Sequence, residues 1–107
     1  MTSRGESELA DLESVFAALA NASRRHVLVV LSARGGTMTA GEIAKRFAHS
    51  WPTTSRHLRT LRAAGLVETR RQGREVLYRL RRDRLRSVVG RWLDWLEAEK
   101  DADGNGR

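Results

Sequence analysis

No cysteine occurs anywhere in the 107 residues, which excludes disulfides, thiolate metal ligands and a cysteine-based redox sensor together. Lysine is almost missing as well. Lys45 and Lys100 are the whole complement, so arginine carries the positive charge. A planar guanidinium matches phosphate oxygens and guanine edges in a way that a compact ammonium does not; a GC-rich genome favouring arginine codons would produce the same bias. Long apolar runs are lacking too, and none approaches the ~18 residues that a bilayer crossing requires. The opening segment MTSRGESELADLE is acidic and polar, without the apolar stretch of a secretory leader, so a cytoplasmic location is expected. There is no nucleophile set beside a base, no glycine-rich phosphate loop and no pair of carboxylates in a pocket-forming context. Gly35-Gly36 reads as a helix stop rather than a phosphate loop, and neither catalysis nor a cofactor is expected.

What is present is a soluble, globular composition, 40% hydrophobic and 31% charged, on a chain with room for one domain. So small a chain buries a modest core, and association is a common way to share stability. The net charge of +7 points to a polyanionic partner, either nucleic acid or an acidic membrane surface. The charge is unevenly placed. Residues 1–23 carry a net −3, residues 24–49 a net +4 and residues 92–107 a net −3. Between them, residues 50–91 hold twelve arginines against Glu68, Glu75 and Asp83, a net of +9. A basic centre between acidic ends suggests a binding element carried by two elements with another job. No stretch reads as a helix both basic and strongly amphipathic, which argues against a membrane-surface protein.

The apolar spacing resolves into elements. Leu9, Leu12, Phe16 and Leu19 recur at helical intervals from Glu8, with Val15 at the margin of the stripe. Asn21 can cap a second helix through Val27, Leu28, Val30 and Leu31, apolar nearly all round and ended by Gly35-Gly36. Thr39 and Glu42 form a capping box that opens a short helix with Ile43, Ala44 and Phe47 inward. Ser50 can cap a fourth helix, with Pro52 in its first turn, Leu58 and Leu61 inward and Gly65 as its stop. The period then changes to two over 67–71 and 75–80, around a hairpin tip at Gln72-Gly73-Arg74. Leu85, Val88, Val89, Trp92 and Leu96 mark a long last helix, its stripe widened by Leu93 and Trp95. The expected architecture is mainly α with a two-stranded β-hairpin, a winged helix-turn-helix over 8–99, with 1–7 and 100–107 as flexible tails.

On the fourth helix, Thr53, Ser55, Arg56, Arg59 and Arg62 leave the leucines free to face the core. Short hydroxyls near a helix start suit close approach to base edges, and exposed N–H groups there anchor phosphates. Arg70, Arg71 and Arg74 surround the hairpin tip, from which such side chains reach a minor groove or its phosphates; an ordinary solvated hairpin is the plainer reading. Arg81, Arg82, Arg84 and Arg86 either extend this footprint or form the exposed face of the last helix.

The stretch Ser50-Trp-Pro-Thr-Thr-Ser-Arg-His-Leu-Arg-Thr-Leu-Arg-Ala-Ala-Gly-Leu-Val67 closely resembles the recognition-helix signature of the ArsR/SmtB (arsenic-repressor) family of transcriptional regulators. FAALANASRRHVLVVL upstream and RRQGREVLYRL downstream resemble two further blocks of that family, in the right order, and together they span about residues 12–96. The resemblance implies a homodimeric repressor that binds an inverted-repeat operator in duplex DNA. It implies base-edge contacts for Trp51, Thr53, Thr54 and Arg56, and backbone contacts for Ser50, Ser55 and His57. Trp51 departs from the family's usual Gln or Arg; it either packs on a thymine methyl or shields the turn. Thr54 stands where the family often has an apolar residue. Family members dimerise through their first and last helices, which implies an interface from Leu9, Leu12, Phe16, Val88, Val89, Trp92, Leu93, Trp95 and Leu96. Metal-sensing relatives use cysteine pairs on the short helix, where this chain has Ala40-Gly41-Glu42-Ile43-Ala44, or Asp and His on the last helix, which here has Asp94, Glu97 and Glu99 but no His. His26, His49 and His57 lack chelating spacing, so no metal site and no known effector are expected. A module that binds RNA or an acidic protein with the same basic face is the alternative.

Overall fold

The computed structural model describes residues 3–102 as a chain of five helices and a small sheet. The order is α1 (Arg4–Leu19), α2 (Ala22–Ala33), β1 (Thr37–Thr39), α3 (Ala40–Arg46), α4 (Trp51–Ala63), β2 (Val67–Gln72), β3 (Glu75–Leu80) and α5 (Arg82–Ala102). The first three helices start where the sequence supplies acceptors for their free N–H groups. Ser3 Oγ accepts from Glu6 N at 3.1 Å, and Asn21 Oδ1 accepts from Arg24 N at 3.1 Å. At α3 the box is reciprocal: Thr39 N donates to Glu42 Oε1 at 2.8 Å, and Glu42 N donates to Thr39 Oγ1 at 3.1 Å. The Thr39 donors hold the Glu42 carboxyl below its ordinary pKa. Two helices end on left-handed glycines. Gly35 (φ +85°) follows α2 with Gly36 N on Leu31 O at 2.7 Å, and Gly65 (φ +76°) follows α4 with Leu66 N on Leu61 O at 3.0 Å.

The expected two-stranded hairpin is part of a three-stranded antiparallel sheet in the order β1-β3-β2. The extra strand, β1, pairs Thr37, Met38 and Thr39 with Arg79, Tyr78 and Leu77. Three residues are too few to show a period, and only the open edge of β3, which needs hydrogen-bond partners, selects them. β2 and β3 pair from Val67↔Leu80 to Gln72↔Glu75, leaving Gly73 and Arg74 as a two-residue turn. Gly73 has φ +64° and Arg74 does not have a positive φ, the sign pattern of a type II′ hairpin turn.

The core gathers Leu12, Val15 and Ala18 of α1, Val27, Leu28, Val30 and Leu31 of α2, Met38, Ile43, Leu58, Leu61, Leu66, Val67, Leu80 and Val88. Two readings of helix faces change. Val15, placed at a margin by spacing, is fully buried, and α2, read as apolar nearly all round, is buried on one side only, with Val29 exposed beside Arg25 and His26. The helices also extend into the segments expected as tails. α1 opens at Arg4, a start that Ser3 and Glu6 signal, and α5 runs to Ala102; residues 1–2 and 103–107 lie outside the described residues.

Candidate nucleic-acid interface

α4 carries its leucines inward because Leu58 and Leu61 share a face with Thr54, and all three are buried. The opposite face presents Pro52, Arg56, Arg59 and Ala63 to solvent, flanked by half-exposed Thr53 and Thr60 on one side and by Trp51, Ser55 and Arg62 on the other. The first turn departs from the sequence reading in two ways. Ser50 makes no side-chain cap; its hydroxyl lies 3.2 Å from Thr53 Oγ1, so two hydroxyls meet at the mouth of the helix and the first N–H groups stay open. Thr54, assigned to base edges, is only 3% exposed and faces the core, which removes it from the reading surface. Its Oγ1 has no hydrogen-bond partner among the described residues.

His57 lies half-buried on the flank of α4, where Arg24 of α2 reaches it: Nη1 stands 3.4 Å from His57 Nδ1. The same guanidinium donates from Nε to Ala18 O at 2.7 Å and from Nη2 to Ala17 O at 3.1 Å. Arg25 adds a bond to Leu19 O at 2.8 Å. α1 has no basic residue in its own last turn, and these two arginines of the next helix supply the donors and positive charge that its C-terminus needs. Burial, and then the nearby Arg24, push the His57 pKa below its ordinary value. One residue before Arg24, Ser23 Oγ lies 3.0 Å from His49 Nε2, in the turn between α3 and α4. Neither link was drawn from the sequence. The only signal was that Arg24 falls within the upstream family block.

The arginines divide into two groups. Arg79 meets Glu68 at 2.8 Å, Arg81 lies 3.4 Å from Glu68 and 2.8 Å from Asp83, Arg84 meets Asp11 at 3.3 Å, and Arg91 meets Glu8 at 3.4 Å. Asp83, hydrogen-bonded by Arg81, has its carboxyl held down to about 2, so that pair stays charged and mutually neutralised at any physiological pH. Arg84 also donates to Ala64 O at 3.3 Å, and Arg82 donates to Ser32 Oγ at 3.2 Å. Of the four arginines at the start of α5, three are thus engaged within the chain. By contrast, among the described residues no acidic side chain pairs with Arg56, Arg59, Arg62, Arg70, Arg71 or Arg74. Six arginines without acidic partners thus share the front of α4 and the hairpin, a two-part basic surface for a polyanion.

The residues assigned to self-association are not all available. Leu12 and Val88 are buried in the chain's own core, and Phe16 and Trp92 pack on each other edge to face, with centroids 5.2 Å apart. What faces solvent is Leu9 (53% exposed), Leu93 (47%), Trp95 (39%) and Leu96 (47%), on α1 and α5. Beside Leu93, a shallow apolar groove runs along α5 past Leu85, Val89 and Gly90. Among the described residues no three His, Asp or Glu side chains cluster as metal ligands, and no helix is long and apolar enough to cross a membrane.

Known proteins share this arrangement. A family model described as a helix-turn-helix domain matches residues 19–70. Over 85 residues the chain is 34% identical to the transcriptional repressor SdpR of Bacillus subtilis (strain 168), covering 79% of this chain and 92% of SdpR. The solved structure of an ArsR-like transcriptional regulator from Rhodococcus sp. RHA1 superposes with a TM-score of 0.76 at 36% identity, over 89% of this chain and 87% of that one. A homodimeric winged helix-turn-helix DNA-binding domain from Mycobacterium bovis, a possible ArsR-family regulator solved by NMR, superposes with a TM-score of 0.69 at 28% identity, over 100% of this chain and 92% of that one. Sequence, fold and the basic α4 surface agree, and the chain belongs to the ArsR family of winged helix-turn-helix transcriptional regulators.

Proposed function

We propose that the chain acts in the cytoplasm as a homodimeric repressor of a two-fold symmetric operator, with α4 in the major groove and the β2–β3 wing against the adjacent minor groove. The observation that carries this reading is the concentration of unpaired arginine: six guanidiniums without acidic partners lie on α4 and the wing, while Arg79, Arg81 and Arg84 are paired with Glu68, Asp83 and Asp11. Thr53, Arg56 and Trp51 are the candidates for base edges, and Ser55 for the backbone. Ser50, with the open N–H groups of the first turn, and Arg59 are candidates for phosphate, and Arg70, Arg71 and Arg74 for the minor groove. Two copies joined through Leu9, Leu93, Trp95 and Leu96 would set their reading helices against successive major grooves, about 34–36 Å apart. The homodimeric relative from Mycobacterium bovis supports the dimer.

A mobility-shift titration with the gene's own upstream region, against random duplex of equal length, tests the reading. The upstream region is expected to win, with affinity falling about 10³–10⁵-fold between 50 and 200 mM salt if 6–10 phosphates are touched. Arg74→Ala is expected to weaken all duplexes alike and to lower the salt slope by about one per contact removed. Thr53→Ala is expected to change which sequence is preferred. Equal affinity for both duplexes, or tighter binding to RNA, rejects specific regulation.

A further inference from the structure

We infer that Arg24 is a positioning residue of the reading helix, holding α4 through the Nδ1 lone pair of an uncharged His57, so that a proton on that ring loosens DNA binding. The inference rests on the DNA-binding reading above but concerns residues that do not face the DNA. A guanidinium has donors only, so the contact at 3.4 Å requires His57 Nδ1 to accept, which places the ring proton on Nε2. Two further donors of Arg24 are held on Ala17 O and Ala18 O, at 3.1 and 2.7 Å. One side chain therefore joins three elements: it grows from the first turn of α2, closes the end of α1 and supports the flank of α4. α1 also carries Leu9 of the exposed apolar face, about two turns before the carbonyls that Arg24 holds.

The groups facing the ring are of one sign. Arg24 comes from α2, His49 from the turn after α3 (ring centroids 6.0 Å apart) and Arg56 from α4 itself, while α1 contributes carbonyls already taken by Arg24. A proton on His57 removes the acceptor and sets a cation against a cation. Burial and these neighbours hold the ring neutral at pH 7. The folded pKa lies below the unfolded one, so the contact is fully present above about pH 6.5 and is lost as pH falls toward the depressed value. This opposes the behaviour of a histidine that touches phosphate, as the family resemblance assigns to His57, because such a histidine gains affinity on protonation.

The experiment measures binding of a duplex carrying the gene's own upstream region across about pH 5.5 to 7.5 at constant salt. The wild type is expected to weaken about tenfold on acidification. His57→Asn, which keeps an acceptor near the Nδ1 position but cannot titrate, is expected to bind well at neutral pH and to lose the acid weakening. Arg24→Gln is expected to weaken binding about tenfold at neutral pH with an unchanged salt slope, since no phosphate contact is removed. Arg24→Lys, which keeps the charge without the three-way fork, is expected not to restore it. Imidazole ¹⁵N spectra of the free protein are expected to show the Nε2–H tautomer of His57, and tautomer mixing in Arg24→Gln. Tighter binding in acid, rescue by Arg24→Lys, or a reduced salt slope in Arg24→Gln would overturn the inference. Because the ¹⁵N spectra need no DNA, they still decide the Arg24–His57 contact if the wild type binds no duplex, a result that would reject only the DNA-binding reading.

Discussion

Thr54 shows how much one atom can decide. It stands between recognition-helix residues that face outward, yet the helical period turns its side chain toward Leu58 and Leu61, and its hydroxyl finds no partner among the described residues. A buried, unpaired hydroxyl costs about 1–3 kcal/mol, and a methyl of the same shape does not incur that cost. Thr54→Val is therefore expected to stabilise the fold by about 1 kcal/mol, raising the melting temperature by about 4–8 °C, without changing the preferred duplex. Thermal unfolding and the competition titration check both halves; a lower melting point would show that the hydroxyl is bonded in the working protein. At this scale the candidate residues could be named by type and spacing. Which of them face outward could not be read, because the helix start at Trp51 and its rotation against the core depend on packing.

Among the elements, the ends proved easier to read than the short pieces. Asn21, Thr39, Gly35 and Gly65 announce caps through local chemistry alone, and each does so in the structure. β1 and the strut from α2 to α4 carry no local signal, since both are answers to partners distant in sequence. The two stop glycines separate local from tertiary cost. A Cβ at Gly35 would meet nothing within 4 Å, whereas one at Gly65 would lie 2.9 Å from Arg84 Nε. Both have positive φ, so alanine costs each about 1–2 kcal/mol in backbone strain. Gly65→Ala is expected to cost measurably more than Gly35→Ala in denaturant unfolding, because Arg84 must also leave Ala64 O and Asp11. Equal losses would show that the Arg84 side chain yields freely.

For the molecule as a whole, the question is what covers Leu9, Leu93, Trp95 and Leu96, which lie on helices that pack against each other. Leu93 is about half exposed, so a charge there should leave the single-chain fold intact. Leu93→Glu is expected to keep its helical circular dichroism, to sediment as a monomer at micromolar concentration, and to lose operator affinity, because two reading helices no longer share one platform. A variant that stays dimeric would move the interface elsewhere. Trp92, counted in the sequence as part of that surface, is already occupied by Phe16 inside the chain. This leaves Trp95 as the main aromatic contribution.

The linear order of residues was enough to establish a winged helix-turn-helix, the element that carries its basic front and the family to which it belongs. Those properties are periodic or contiguous, and local chemistry sets them. Only the folded chain decided which arginines remain free, which apolar residues remain uncovered, that Thr54 turns inward and that Arg24 supports His57. Each of these depends on a partner brought close by packing, and spacing along a chain carries no information about where such a partner will lie.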